Sequence, residues 1–146
     1  MRQINLIIIH ASASDNPSQD NIEAIRHLHT APKTEAIQWG RYATYGRSWQ
    51  DIGYHFCVSK KSIEIGRPEH QVGAHCKGFN SKSIGVVFSG DKIFSAKQML
   101  MGAILIQGLI VRYELEVKDV VPHSLFNKYK TCPNFDVNEL VKRGNV

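Results

Sequence analysis

The sequence predicts an α/β protein: a single domain over residues 1–146, with a central mixed β-sheet flanked by α-helices. Three features point there. The run INLIIIH at 4–10 is almost continuously apolar and β-branched, as in a strand buried on both faces. Shorter runs of the same kind recur between turn residues. Segments with apolar residues at helical spacing alternate with them, which is the pattern of helices layered on a sheet. At 146 residues and 42% hydrophobic, such a chain buries roughly 68–70% of its unfolded surface. No repeat or low-complexity tract divides it.

The elements follow in order. SQDNIEAIRHLH at 18–29 carries Asp20 and Glu23 in capping-box register and Ile22, Ile25 and Leu28 on one face, predicting an amphipathic helix. GYHFCVS at 53–59 and SIEIG at 62–66 predict a hairpin turning at Lys60–Lys61, and KSIGVVFSG at 82–90 a further strand bounded by glycine. A hairpin beside buried runs makes the sheet mixed. The segment 95–115 opens with Ser95 and Gln98 in capping-box register, and apolar residues nearly surround it. It reads as the main core helix, with Gly102 and Gly108 permitting close approach. EVKDVVP at 116–122 predicts a short strand, 123–132 a loop, and DVNELVKR at 136–143 a last helix capped by Asp136.

Composition excludes several classes. The longest apolar stretch, MLMGAILIQGLIV, is interrupted by Gln107 and followed by Arg112 and Glu114, so it falls short of the ~20 residues of a membrane span. The N-terminus lacks the features of a secretion signal, so synthesis and folding in the cytoplasm are expected. Three cysteines, an odd count, argue against a disulfide framework. The net charge of +5 favours an anionic partner such as nucleic acid, an acidic lipid surface or an acidic cell-wall polymer.

The chemistry must come from seven histidines and three cysteines. His10 ends the most apolar strand, where a rigid scaffold presents a side chain at the sheet edge; taken alone, it reads equally as a histidine satisfied at a strand end. His123 and Cys132 lie nine residues apart, with Pro133 stiffening the chain behind the cysteine. Imidazole and thiolate suit zinc, and a catalytic zinc site commonly takes three protein ligands plus an open position. His10 is the natural third ligand. Elsewhere the signals are weaker. His27 and His29 point in different directions on a helix, and His70 and His75 lack a third ligand. Cys57 reads as a small buried hydrophobe, Cys76 as a poor candidate nucleophile, and the zinc deaminase signature is missing.

Four blocks in order, IIIHASAS, SWQDIGYHFCVSKKSIEIGRP, VGAHCKGFNSKSIGVVFSG and HSLFNKYKTCPNF, resemble the motifs of the zinc-dependent N-acetylmuramoyl-L-alanine amidases. The resemblance is to the single-domain phage lysozyme-type members, which share their fold with peptidoglycan recognition proteins. It implies one zinc ion held by His10, His123 and Cys132, with Tyr54 and Lys130 as catalytic residues. The implied reaction is hydrolysis of the amide joining N-acetylmuramic acid to L-alanine, with bacterial peptidoglycan as substrate. His75 and Asn80 fall in the block that forms the family's groove wall and are expected to touch substrate, with Lys77, Arg67 and Trp49 as further contacts. Gly78 and Gly85 are expected to serve turn geometry and close packing.

The resemblance also implies a monomeric endolysin in the host bacterial cytoplasm that reaches the wall through a separate membrane-permeabilising protein, without an appended wall-binding domain. It leaves a phage RNA polymerase open as a second partner, inhibited on binding. No direct nucleic-acid binding and no membrane association are expected. Pro122 and Ser124 depart from the glycine and arginine that flank the second histidine ligand in many relatives. The alternatives are a non-catalytic peptidoglycan-binding module and a regulatory protein; retention of Cys132, Tyr54 and Lys130 argues against the first.

Overall fold

A computed structural model describes residues 2–144; Met1, Asn145 and Val146, the ends of the 1–146 span, lie outside the described residues. Strand β1 (Leu6–Ala11) pairs in parallel with both β6 (Ser83–Phe88) and β7 (Val120–Pro122). On the far side of β6, β4 (Phe56–Val58) pairs in parallel, and β5 (Ile63–Ile65) closes that edge antiparallel to β4. The order β5-β4-β6-β1-β7 is the mixed sheet expected, with Ser59 N–H donating to Ser62 O across the Lys60–Lys61 turn.

Alternation along the strands divides the core. Ile7, Ile9, Ile84, Val86, Phe56 and Val58 face α2 (Ala96–Arg112) and α3 (Val137–Arg143). Cys57 and Val87 face the opposite way, onto Ile22, Ile25 and Leu28 of α1 (Ile22–Thr30). Ile8 joins Cys76 and Val121 in a third cluster. Burial of each such side chain contributes about 1.5–3 kcal/mol, so a one-residue slip of β1, which would reverse its faces, is strongly disfavoured.

Several details differ from the sequence expectation. Asn21, not Asp20, caps α1, accepting from Ala24 N–H; the Asp20 carboxylate instead accepts from Lys60 N–H. Helix α2 has the expected capping box but buries only one face: Leu100, Ile104 and Val111 are 50%, 60% and 76% exposed. Gly102 does permit close approach, since a Cβ there would lie 2.3 Å from the Phe88 ring, whereas Gly108 has nothing within 4 Å. A separate antiparallel hairpin, β2 (Ala36–Trp39) with β3 (Tyr42–Tyr45), was not foreseen. Most of its residues are exposed and only Trp39 is buried, so it lacks the buried apolar run that marks β1, β4 and β6.

Gln98 joins helix to sheet. It is fully buried, and its amide donates to Val58 O at the end of β4 and to Ser89 O just past β6. Gln98→Leu would leave Ser89 O without its partner, at roughly 1–3 kcal/mol, while Val58 O keeps the Ser89 N–H. We expect a urea-unfolding loss of about 1–3 kcal/mol, and a loss well under about 1 kcal/mol would show that these bonds are not structural.

Candidate functional site

Parallel pairing of β1 and β7 sets Ile9 opposite Pro122, so the next residues, His10 and His123, emerge side by side. Their ring centroids are 4.5 Å apart. The chain then turns through residues 123–125 and returns, with Ser124 N–H donating to Cys132 O at 3.1 Å. The Ala11 N–H points at Cys132 Sγ, 2.9 Å away. One donor atom each from His10, His123 and Cys132 thus lies within 4.8 Å of the others. Two imidazoles and a thiol at this spacing fit a tetrahedral ion with one position open.

Burial governs the electrostatics. His10 is 1% exposed, and burial, followed by His75, His123 and His29, holds its pKa well below the ordinary imidazole value. Burial and then Lys130 lower His123 as well. Burial pushes the Cys132 thiol up to about 11, partly offset by the Ala11 N–H and Lys130. At neutral pH the trio is therefore two neutral imidazoles and a protonated thiol.

Tyr54 stands beside His10, with ring centroids 4.9 Å apart. Its backbone is held by Arg67 N–H donating to Tyr54 O, and the preceding Gly53 N–H donates to His29 Nδ1. His29 packs against Tyr54 and Trp49; burial, Arg47 and Arg67 hold its pKa down to about 3. Burial and the neighbouring Cys132 raise the Tyr54 phenol, which stays protonated at neutral pH. Lys130 is exposed, two residues before Cys132 and near enough to perturb both it and His123.

These groups share one cleft of about 720 Å³, which His75, Lys77, Asn80 and Trp49 also line. His75 Nδ1 lies 2.9 Å from His10 Nε2. Asn80 Oδ1 accepts from His75 N–H and Cys76 N–H. Arg67 departs from expectation: its guanidinium donates to Ile52 O and Val72 O, a brace for the backbone rather than a cleft contact. Tyr42 and Arg47, which the sequence reading passed over, also line the cleft, and Arg47 lies over Trp49 at 5.3 Å. A cation two residues before an aromatic in GRSW, just upstream of the DIGYHF stretch, was the available signal for Arg47. His27 turns outward onto Glu35, while Cys57 and Cys76 are buried free thiols.

In metal-free protein, Cys132 should alkylate slowly at neutral pH, its rate climbing toward an inflection near 11. Peptide mass spectrometry of iodoacetamide-treated samples reads this directly. An inflection below the ~8.5 of a free thiol would contradict the burial argument.

The family profile for N-acetylmuramoyl-L-alanine amidase matches residues 1–135. The endolysin of Enterobacteria phage T3 is 34% identical, over 92% of this chain and 87% of its own length. That of Escherichia phage T7 is 33% identical over the same shares. Among solved structures, the endolysin amidase LysCS from Clostridium intestinale URNW superposes with a TM-score of 0.77 at 28% identity, covering 99% of this chain and 86% of that one. Apis mellifera PGRP-SA gives 0.72 at 25% identity, covering 97% and 83%.

Proposed function

Because the chain belongs to the N-acetylmuramoyl-L-alanine amidase family, we propose that it is a zinc-dependent endolysin that hydrolyses the amide between N-acetylmuramic acid and L-alanine in peptidoglycan. The observation that carries this reading is the meeting of His10, His123 and Cys132 in the cleft that also holds Tyr54 and Lys130. The donor set suits zinc, which when bound supplies a Lewis acid that activates water and polarises a carbonyl.

The protein's own groups do the rest. Tyr54, protonated at neutral pH, offers its hydroxyl as a hydrogen-bond donor that orients water or passes a proton to the leaving amine. Lys130 brings an ammonium toward the oxygen on which negative charge develops. Lys77 and Arg47 are exposed cations on the cleft walls, suited to stem-peptide carboxylates. Asn80 contacts substrate through its Nδ2, its Oδ1 being engaged with backbone. His75 contributes wall surface, since both its ring nitrogens meet protein groups.

The whole span 1–146 acts as one amidase domain and works as a monomer. No described helix is long and apolar enough to cross a membrane, and passage from the host cytoplasm to the wall is assigned to a separate permeabilising protein. The RNA polymerase partner rests on family resemblance alone.

Purified peptidoglycan incubated with the protein should release stem peptides bearing a free L-alanine amine, detected by mass spectrometry. A chelator should stop this and zinc restore it. Glycan cleavage without free L-alanine amines would overturn the reading. Cys132→Ser should lose zinc and turnover together, and Lys130→Ala should keep zinc while turnover falls ~10²–10³-fold; full activity in Lys130→Ala removes it from the mechanism. Zinc affinity should rise about tenfold per pH unit through neutrality, because uptake displaces the one Cys132 proton while both histidines are already neutral. A flat profile would mean that the thiol is not a ligand.

A further inference from the structure

We infer that His75 is a positioning residue: a hydrogen-bond chain running from the Phe79 carbonyl through Ser83 and His75 holds His10 in its Nε2–H tautomer and leaves Nδ1 as its metal-binding nitrogen. The inference rests on the metal-site reading above and goes beyond it.

Donor and acceptor roles along the chain are forced from one end. Ser83 Oγ lies 2.8 Å from Phe79 O. A carbonyl only accepts, so the hydroxyl proton points there. The same Oγ lies 3.2 Å from His75 Nε2; with its proton already directed elsewhere it accepts, and His75 Nε2 carries hydrogen. A neutral imidazole holds one N–H, which leaves His75 Nδ1 bare. That atom is 2.9 Å from His10 Nε2, so His10 donates from Nε2 and its bare nitrogen is Nδ1. Reversing any link would set two hydrogens or two lone pairs against each other.

The scaffold holds each member in place. Ser83 is fully buried on β6 and pairs with Leu6 of β1. The His75 ring lies against Gly85, where a Cβ would come within 2.7 Å of ring carbons, and against Gly73, where a Cβ would come within 2.8 Å. Asn80 Oδ1 clamps the backbone by accepting from both His75 and Cys76 N–H groups. The His10 and His75 rings meet nearly edge-on, at 86°, with a ring nitrogen of each at the contact. A metal-bound histidine commonly donates its second N–H to such an outer partner, and loss of the partner weakens metal binding about 10–100-fold. A substrate-contact role differs in its signature: it would raise KM and leave zinc affinity unchanged.

Nitrogen-15 NMR of the metal-free protein, using long-range proton–nitrogen correlations of the imidazoles, reads the tautomers directly. His10 and His75 should both appear as Nε2–H forms; an Nδ1–H form of His10 overturns the inference. Zinc competition with a chromophoric chelator supplies a second readout. His75→Phe should bind zinc about 10–100-fold more weakly, and His75→Asn, which restores a side-chain acceptor, should recover part of the loss. Wild-type affinity in a folded His75→Phe protein removes the positioning role while the metal reading stands. If the wild-type protein takes up no zinc, the metal reading fails and the inference with it. Should His75→Phe not fold, the wild-type nitrogen spectrum decides alone.

Discussion

The parallel pairing of β1 with both of its neighbours is the constraint on which the rest depends. Residues 7–11 are buried, with Ile7, Ile8 and Ile9 fully so, and only one register keeps Ile7 and Ile9 on the α2 side and Ile8 on the other. The same register sets Ile9 against Pro122 and His10 against Val87. It therefore delivers His10 and His123 together at the carboxyl ends of adjacent parallel strands, where an open α/β sheet leaves room for a ligand. Position comes from apolar packing, and the polar chemistry is attached to it.

The site follows from that burial. Histidines in a low-dielectric setting stay neutral and keep a lone pair for a cation. The thiol likewise keeps its proton at neutral pH, and a bound cation would displace it. Tyr54, pushed upward by burial, is a donor throughout the neutral range. Exposed Lys77, Arg47 and Lys130 make the cleft walls cationic, while His10 and Tyr54 inside it are uncharged at neutral pH. The arrangement suits an uncharged amide whose neighbours carry carboxylates.

Much of this was legible in the sequence, for local reasons. The β-branched run before His10, the Ser95–Gln98 capping box and the turn at Lys60–Lys61 are encoded within a few residues and appear as expected. His10, His123 and Cys132 were legible as candidate ligands through donor chemistry and block resemblance, although their meeting is tertiary. What escaped notice depends on distant partners. Asp20 looks like a cap until Lys60, forty positions away, takes its carboxylate. Arg67 looks like a free cation until the chain folds carbonyls of Ile52 and Val72 around it. The β2–β3 hairpin hides because its residues are mostly half-exposed or exposed. The bonds of His75 to His10 and Ser83 escaped notice because they join residues 65 and 8 positions apart.

The most direct test of the central claim is zinc K-edge X-ray absorption on the zinc-loaded protein. The account predicts one sulfur at about 2.3 Å and two imidazole nitrogens at about 2.0–2.1 Å, completed by one further light atom. A shell of oxygen and nitrogen alone, with no sulfur, would contradict it, because Cys132 could then not belong to the metal centre that β1 and β7 bring together.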